Sequence, residues 1–341
     1  MDRRDFLKAG VAGMTLSTVG NYVAESAGRK RRRVGLIGCG WYGKAAHLRL
    51  LQVEPAEVVC LCDVDSKMLA EAAEIVASRQ ASKKKPRTYT DYRQMLKQEQ
   101  LDIVQVSTPD HWHALIAIYA AQAGKDIYCE KPLTLTIAEG RALVNAVRRY
   151  GRVFQTGSQQ RSARNFRFAC ELVRSGRIGK LREIRVGIGG GPVSGWEPDT
   201  DPPPGLDWDM YLGPAPWVPF NRLRFLGTFR WFFDYSGGKM TDWGAHHNDI
   251  AQWGNGTELT GPTYIDGRGE FPKDGLFETA VNFTVRYEYE DAAPVICSNS
   301  NRHGITFIGT DGWVYVDRGK LEADPPDLLQ ERLVQYSFPI F

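Results

Sequence analysis

Apolar positions in the first half of the chain follow two periods that take turns. Short runs dense in Val, Ile, Leu and Cys predict buried strands around 34–37, 57–63, 102–108 and 126–130, and a short strand is expected near Arg87 to Thr90. Between them, apolar residues returning every three or four positions predict helices over 66–77, after Asp91 as N-cap, over 112–123 closed by Gly124, and over 136–150 stopping at Gly151. In the last of these Ile137, Gly140, Leu143, Val144 and Val147 share a face. Strands alternating with helices predict a doubly wound parallel sheet, a Rossmann-type α/β domain over 29–152.

The texture then changes. A helix over 165–175 and a strand over 181–188 precede a Gly/Pro/Trp-rich stretch at 189–220. Period-two alternation returns at 263–271, 279–289, 295–301 and 304–316, the last broken by a turn at Asp311-Gly312. This predicts a second, α+β domain over 153–341 with an open, mainly antiparallel sheet. A chain of 341 residues with 43% hydrophobic content can bury two such cores.

The first 28 residues are of another kind. Arg3-Arg4, then Phe6-Leu7-Lys8 and a mild apolar stretch from Ala9 to Val23, read as a twin-arginine signal, so an exported, periplasmic protein is expected. Residues 1–33 hold eight Lys or Arg and three acids, whereas the whole chain is +3, so the body carries 3 − 5 = −2. A nearly neutral body excludes a nucleic-acid footprint. No later segment is long and apolar enough to span a bilayer. Of the six cysteines, Cys39, Cys60, Cys62 and Cys129 fall in strands or a tight turn and read as small core residues rather than disulfide halves.

Chemistry concentrates in three places. Gly38-Cys39-Gly40-Trp41-Tyr42-Gly43 joins the first strand to a helix as G-x-G-x-x-G, the turn that brings backbone N–H groups to a pyrophosphate. Asp63 ends the second strand 20 residues later, where a carboxylate meets the adenosine ribose. Val64 after it favours NAD over NADP. Glu130-Lys131-Pro132 closes another strand at the edge where ligands of such sheets bind. On a predicted helix, Asp242, His246, Asp249 and Trp253 share a face, so that Asp242 can fix the tautomer of the His246 imidazole. Gly157 to Arg161 follows the next strand and is expected to close the cofactor with Gln159 while Arg161 reaches substrate oxygens. Metal ligation by His246, His247 and Asp249, or by His111 and His113, lacks the spacing of a zinc site, and no metal is expected. The aromatics at 229–235, with Trp196, Trp208 and Trp217, suit a core and a sugar-stacking surface equally.

Together these residues resemble the glucose–fructose oxidoreductase / inositol dehydrogenase (Gfo/Idh/MocA) family, with Thr108-Pro109 and His113, Glu130-Lys131-Pro132 and Asp242-x-x-x-His246 in family order over about residues 33 to 320. The resemblance implies bound NAD, Lys131 orienting a reacting hydroxyl, His246 as acid/base, Asp242 assisting it, and Glu130 beside the nicotinamide ribose, in an oxidoreductase acting on a secondary hydroxyl. An NAD-dependent glycosidase using transient oxidation and elimination is the alternative, and a noncatalytic sugar- or cofactor-binding protein a second. It implies a sugar or glycoside substrate near Arg161, Arg230, Trp231 and His247, with Thr108, Pro109 and His113 against the cofactor. A homo-oligomer, dimer or tetramer, is expected. Exported relatives of this kind continue past the last strand, so the end at Phe341 reads as a truncation or a docking element.

Overall fold

A computed structural model describes residues 31–330; the expected signal segment and the last residues lie outside them. The first domain runs β1 (Arg32–Ile37), α1 (Trp41–Val53), β2 (Ala56–Cys62), α2 (Ser66–Arg79), β3 (Arg87–Tyr89), α3 (Tyr92–Gln98), β4 (Ile103–Val106), α4 (Asp110–Gln122), β5 (Asp126–Cys129), α5 (Ile137–Tyr150) and β6 (Phe154–Thr156). Its sheet is wholly parallel in the order β3-β2-β1-β4-β5-β6. The order reverses between β1 and β4, which opens a crevice at their carboxyl ends. β6 lies past the expected boundary at 152, so the first domain extends a few residues further.

Local sequence explains the helices. Asp65 caps α2 by accepting from the Lys67 and Met68 amides, and Leu69, Ala72, Ala73 and Val76 bury one stripe. Thr136 and Glu139 form a reciprocal capping box on α5, which ends at Gly151 in the left-handed conformation. A cap of this kind contributes about 1 kcal/mol. All six cysteines are buried and free.

The second domain continues with α6 (Arg164–Arg174), β7 (Leu181–Gly187), α7 (Trp208–Leu212), α8 (Lys239–Asp242), α9 (Gly244–Asn255), β8 (Tyr264–Glu270), β9 (Asn282–Glu288), β10 (Val295–Ser298), β11 (Gly304–Gly309), β12 (Trp313–Val316) and β13 (Leu321–Asp324). Its sheet has the order β13-β12-β11-β7-β10-β9-β8 and is antiparallel except where β7 meets β10. Phe166, Leu172, Ile250 and Trp253 from α6 and α9 pack against Ile184, Val186, Cys297 and Phe307 of the sheet. β13 had no separate signal in the sequence. The single helix expected around Asp242 to Asp249 is broken at Trp243, between α8 and α9.

The Gly/Pro/Trp-rich stretch reaches back onto the first domain. The Ser66 amide donates to Gly205 O at 2.9 Å and the Asp207 amide to Val64 O at 2.9 Å. Trp112 Nε1 donates to Tyr211 O at 2.9 Å. Gly213 is needed here, because a Cβ would lie 1.9 Å from the Trp112 ring. Of the aromatics, Trp208, Phe220, Phe232 and Tyr235 form a buried cluster, whereas Trp196 and Trp217 are exposed.

Candidate active site

The glycine turn sits at the sheet's reversal point. Gly38 has φ +94°, and a Cβ there would lie 2.5 Å from the Ser107 carbonyl. A Cβ on Gly43 would lie 2.1 Å from Gly38 O, so α1 can pack this closely only with glycine. At Gly40 a Cβ would enter open space, and no side chain caps α1. The unpaired amides of that first turn border a cavity of about 520 Å³. Asp63 borders it too. Its carboxylate accepts from the Cys39 amide at 2.5 Å and the Asp65 amide at 2.9 Å, which ties the turn to the neighbouring strand. Burial pushes this carboxyl up, and the amides pull it partly back.

These features fit a dinucleotide: an uncapped helix start where glycine leaves room, a carboxylate one strand away, and buried oxygens of Thr108, Glu130 and Gln159 without partners in the same cavity. Met210, Tyr211, Phe225 and Phe229 cover it from the second domain.

At the other end the two domains bring their ionisable groups together. Lys131, after β5, donates from Nζ to Asp242 Oδ1 at 2.7 Å and to Asp242 O at 3.2 Å. Arg230 Nε lies 3.3 Å from the same Oδ1. Burial pushes Asp242 up, but Lys131 and then Arg230 outweigh it and hold the carboxyl below its ordinary range. The His246 ring is buried beside them with Nδ1 unpartnered. Burial first, then the Lys131 and Arg318 charges, lower it to about 3, so the imidazole is neutral at physiological pH. Burial lifts Glu130 to about 7 against the lowering pull of Tyr128 and Lys131. Gly157 makes room for it, since a Cβ there would lie 2.7 Å from the Glu130 carboxyl.

Several expected site residues have other work. Cys39 turns its thiol into the core and gives its amide to Asp63, so neither is free for a phosphate. His113 spans two backbone carbonyls, Pro132 O at 2.7 Å and Thr108 O at 2.9 Å, and braces the loops instead of facing the cofactor. Arg161 is held by Asp249 through two 2.8 Å bonds over the Trp253 ring, so it does not border the cavity. Trp231 packs against Phe277. His247 is fully buried with Nδ1 on Gly187 O at 3.1 Å. Asp242 is bonded to Lys131 rather than to the His246 ring. Gly38, Gly40, Trp41, Tyr42, Gly43, Asp63, Thr108, Pro109, Glu130, Lys131, Gln159, Arg230, Asp242 and His246 border the cavity.

Two contributors escaped the sequence. Arg318, in the β12–β13 turn, reaches the cavity with its guanidinium 4.3 Å over the Trp243 ring. Nothing in its local pattern marks it. Asp110 is buried at the start of α4, accepts the Ser236 hydroxyl at 2.5 Å, and is raised by burial. Its place directly after Thr108-Pro109 was the available signal. No group of three His, Cys, Asp or Glu suited to a metal occurs among the described residues.

A glycine turn at the switch of a parallel sheet, with a catalytic-type cluster supplied by a second α+β domain, defines a two-domain NAD-binding protein of the oxidoreductase class. Residues 32–158 match the NAD-binding Rossmann fold of the Gfo/Idh/MocA oxidoreductases, and residues 196–339 match the C-terminal α/β domain of that family. The chain belongs to this family. It is 31% identical over 193 residues to a glycosyl hydrolase family 109 protein of Stenotrophomonas maltophilia, covering 55% of this chain and 42% of that protein. It therefore spans less than half of that relative's length. It is 26% identical over 295 residues to a myo-inositol 2-dehydrogenase of Thermotoga maritima, covering 84% and 75%. The crystal structure of GenD2 from gentamicin A biosynthesis in complex with NAD superimposes with TM-score 0.63 at 24% identity, over 85% of this chain and 73% of that one.

Proposed function

We propose that this protein oxidises a secondary hydroxyl of a sugar or glycoside with NAD. The observation that carries this reading is the meeting of Lys131 from one domain with Asp242 and His246 from the other at the end of the glycine-turn cavity. Bound there, NAD supplies a hydride acceptor. The α1 amides would hold its diphosphate, Asp63 its adenosine ribose, and Thr108, Glu130 and Gln159 the remaining polar edges. Lys131, steadied by Asp242, orients the substrate hydroxyl and stabilises the developing alkoxide. The neutral His246 imidazole takes the hydroxyl proton.

The experiment is to release any nucleotide from purified protein with acid, identify it by mass, and then offer a panel of sugars without added NAD. Released NAD and reduction of the bound nucleotide by a panel member support the reading. Absence of nucleotide together with failure to bind added NAD refutes it. A second reading, glycoside cleavage through transient oxidation, elimination and hydride return, is favoured by the similarity to the family 109 protein. Aglycone release from a nitrophenyl glycoside with no net nicotinamide reduction distinguishes it.

The same proposal includes export. The Arg3-Arg4 segment reads as a twin-arginine signal, and that route carries folded proteins, so the cofactor would be loaded in the cytoplasm and retained. A reporter fused after residue 28 should reach the periplasm and lose export when both arginines become lysine. Self-association is proposed as well: Tyr264, Ile265 and Phe271 stand exposed at or beside the edge strand β8. Light scattering of the purified chain tests it, and a monomer at micromolar concentration would remove it.

A further inference from the structure

The geometry points to a second compartment of the active site, one that holds an anionic group of the substrate, a carboxylate or phosphate ester, between Arg49, Arg164 and Arg318. This rests on the sugar oxidoreductase reading above and narrows its substrate class to acidic sugars or acidic glycosides.

A cavity of about 530 Å³ adjoins the first and shares Trp41, Tyr42, Gln159 and Arg318 with it. The shared wall lies at the reactive end. Arg318 borders both cavities, and His246, Lys131 and Glu130 border the first beside Tyr42 and Gln159.

Three guanidinium groups border the cavity from three elements: Arg49 from α1, Arg164 at the start of α6, and Arg318 from the β12–β13 turn. Among the described residues one carboxylate borders it, Asp317. That carboxylate accepts the Tyr315 hydroxyl at 2.8 Å and the Gly319 and Lys320 amides at 2.7 and 2.8 Å, which engages its lone pairs while its single charge remains. Arg318 gives one donor to Gln160 Oε1 at 3.1 Å and keeps the rest. Arg49 and Arg164 form no ion pair or hydrogen bond among the described residues. Some arginines elsewhere are matched, Arg161 with Asp249, Arg174 with Glu258 and Arg302 with Glu322, whereas these three converge on one concavity. Arg49 and Arg164 are open to solvent, and three guanidinium groups face one carboxylate across this concavity, an excess of cation that an anion can meet with charge-assisted, bidentate bonds. Trp41 stands 72% exposed at the lip, its ring edge-on to Tyr42 at 5.3 Å, and offers an apolar face to a sugar ring.

The test titrates the full chain, loaded with NAD, with D-glucuronate, glucose 6-phosphate and D-glucose, following tryptophan fluorescence. At least one acidic sugar should bind about tenfold more tightly than glucose, the worth of a charge-assisted hydrogen bond. Preference for glucuronate marks a carboxylate site and preference for glucose 6-phosphate a phosphate-ester site. In the double variant R49A/R164A that advantage should shrink to about threefold or less, with bound nucleotide unchanged as evidence of an intact fold. Equal binding of glucose and both acids, no binding of either acid, or an acid preference that survives the double substitution overturns the inference. Binding decides it independently of turnover. Acidic sugars that bind as described yet never reduce the nucleotide would uphold the compartment and overturn the oxidoreductase reading. Oxidation of neutral sugars without acid preference would do the reverse.

Discussion

Replacing Asp242 with asparagine tests how the two domains build one centre. The carboxylate serves two cations at once, Lys131 at 2.7 Å and Arg230 at 3.3 Å, with the Lys131 and Asp242 side chains only 14% and 18% exposed. At an effective dielectric of about 20 the closer contact alone is worth roughly 6 kcal/mol of attraction, most of it cancelled by taking the charges out of water. Allowing for residual solvent screening, a net coupling of about 2–3 kcal/mol remains. Asp242→Asn keeps the shape but leaves two cations facing each other, and Lys131 loses the anchor that aims it. The expected loss in kcat/KM is about 30- to 150-fold. A double-mutant cycle with Lys131→Met is the assay, run on protein with equal nucleotide content. If Asp242 acts by holding Lys131, the double variant should be little worse than Lys131→Met alone. Losses that multiply, or a shifted acid limb in Asp242→Asn with Lys131 coupling below about 0.5 kcal/mol, would refute this and return Asp242 to the His246 ring.

Other outcomes follow from the same geometry. Gly43→Ala should abolish nucleotide retention, because its Cβ would meet Gly38 O at 2.1 Å; acid-released nucleotide measures it, and full retention contradicts the turn's role. Arg161→Ala should lower stability by about 2–4 kcal/mol through the stranded Asp249, yet leave the substrate KM within about twofold, as chemical denaturation and kinetics would show. Trp112→Ala should speed nucleotide release by loosening the 205–213 segment, read by chasing bound NAD with excess unlabelled nucleotide. Acid should destabilise the fold. His111 and His247 are held neutral by burial to about 4 and His246 to about 3, so below an unfolded value near 6.5 the unfolded chain binds more protons. Stability present above pH 6.5 is lost as pH falls toward 4, on the order of 2 kcal/mol per histidine at pH 5. Glu130, raised to about 7, and the raised Asp63 and Asp110 act in the opposite sense and reduce the loss the three histidines cause. A denaturation midpoint that climbs between pH 7.5 and 5 would contradict it.

The parts of the site that were legible in the sequence are those whose position is set by local backbone rules. Gly38, Gly40 and Gly43 must sit where a strand turns into a helix, and Asp63 and Glu130 must sit at strand ends beside that turn. Periodicity placed His246 on a buried helix face, and the structure keeps it there. Side chains whose partners come from far along the chain were misread. Arg161, His113 and His247 are polar residues near the site, and each is consumed by a group that local pattern does not place: Asp249, the Thr108 and Pro132 carbonyls, and Gly187 O. Asp242, on the short α8 before the break at Trp243, meets Lys131 in a contact across 111 residues. Arg318 enters through a hairpin turn whose tertiary placement decides everything and whose sequence signals only a turn.

The most direct measurement is a crystal structure of the NAD-loaded protein, read at one atom. The nicotinamide C4 should lie between the Lys131 ammonium and the His246 imidazole, leaving a space in which a carbinol hydrogen approaches to about 3–3.5 Å. A nicotinamide ring turned away from that pair, with C4 separated from it by protein side chains, would contradict the account.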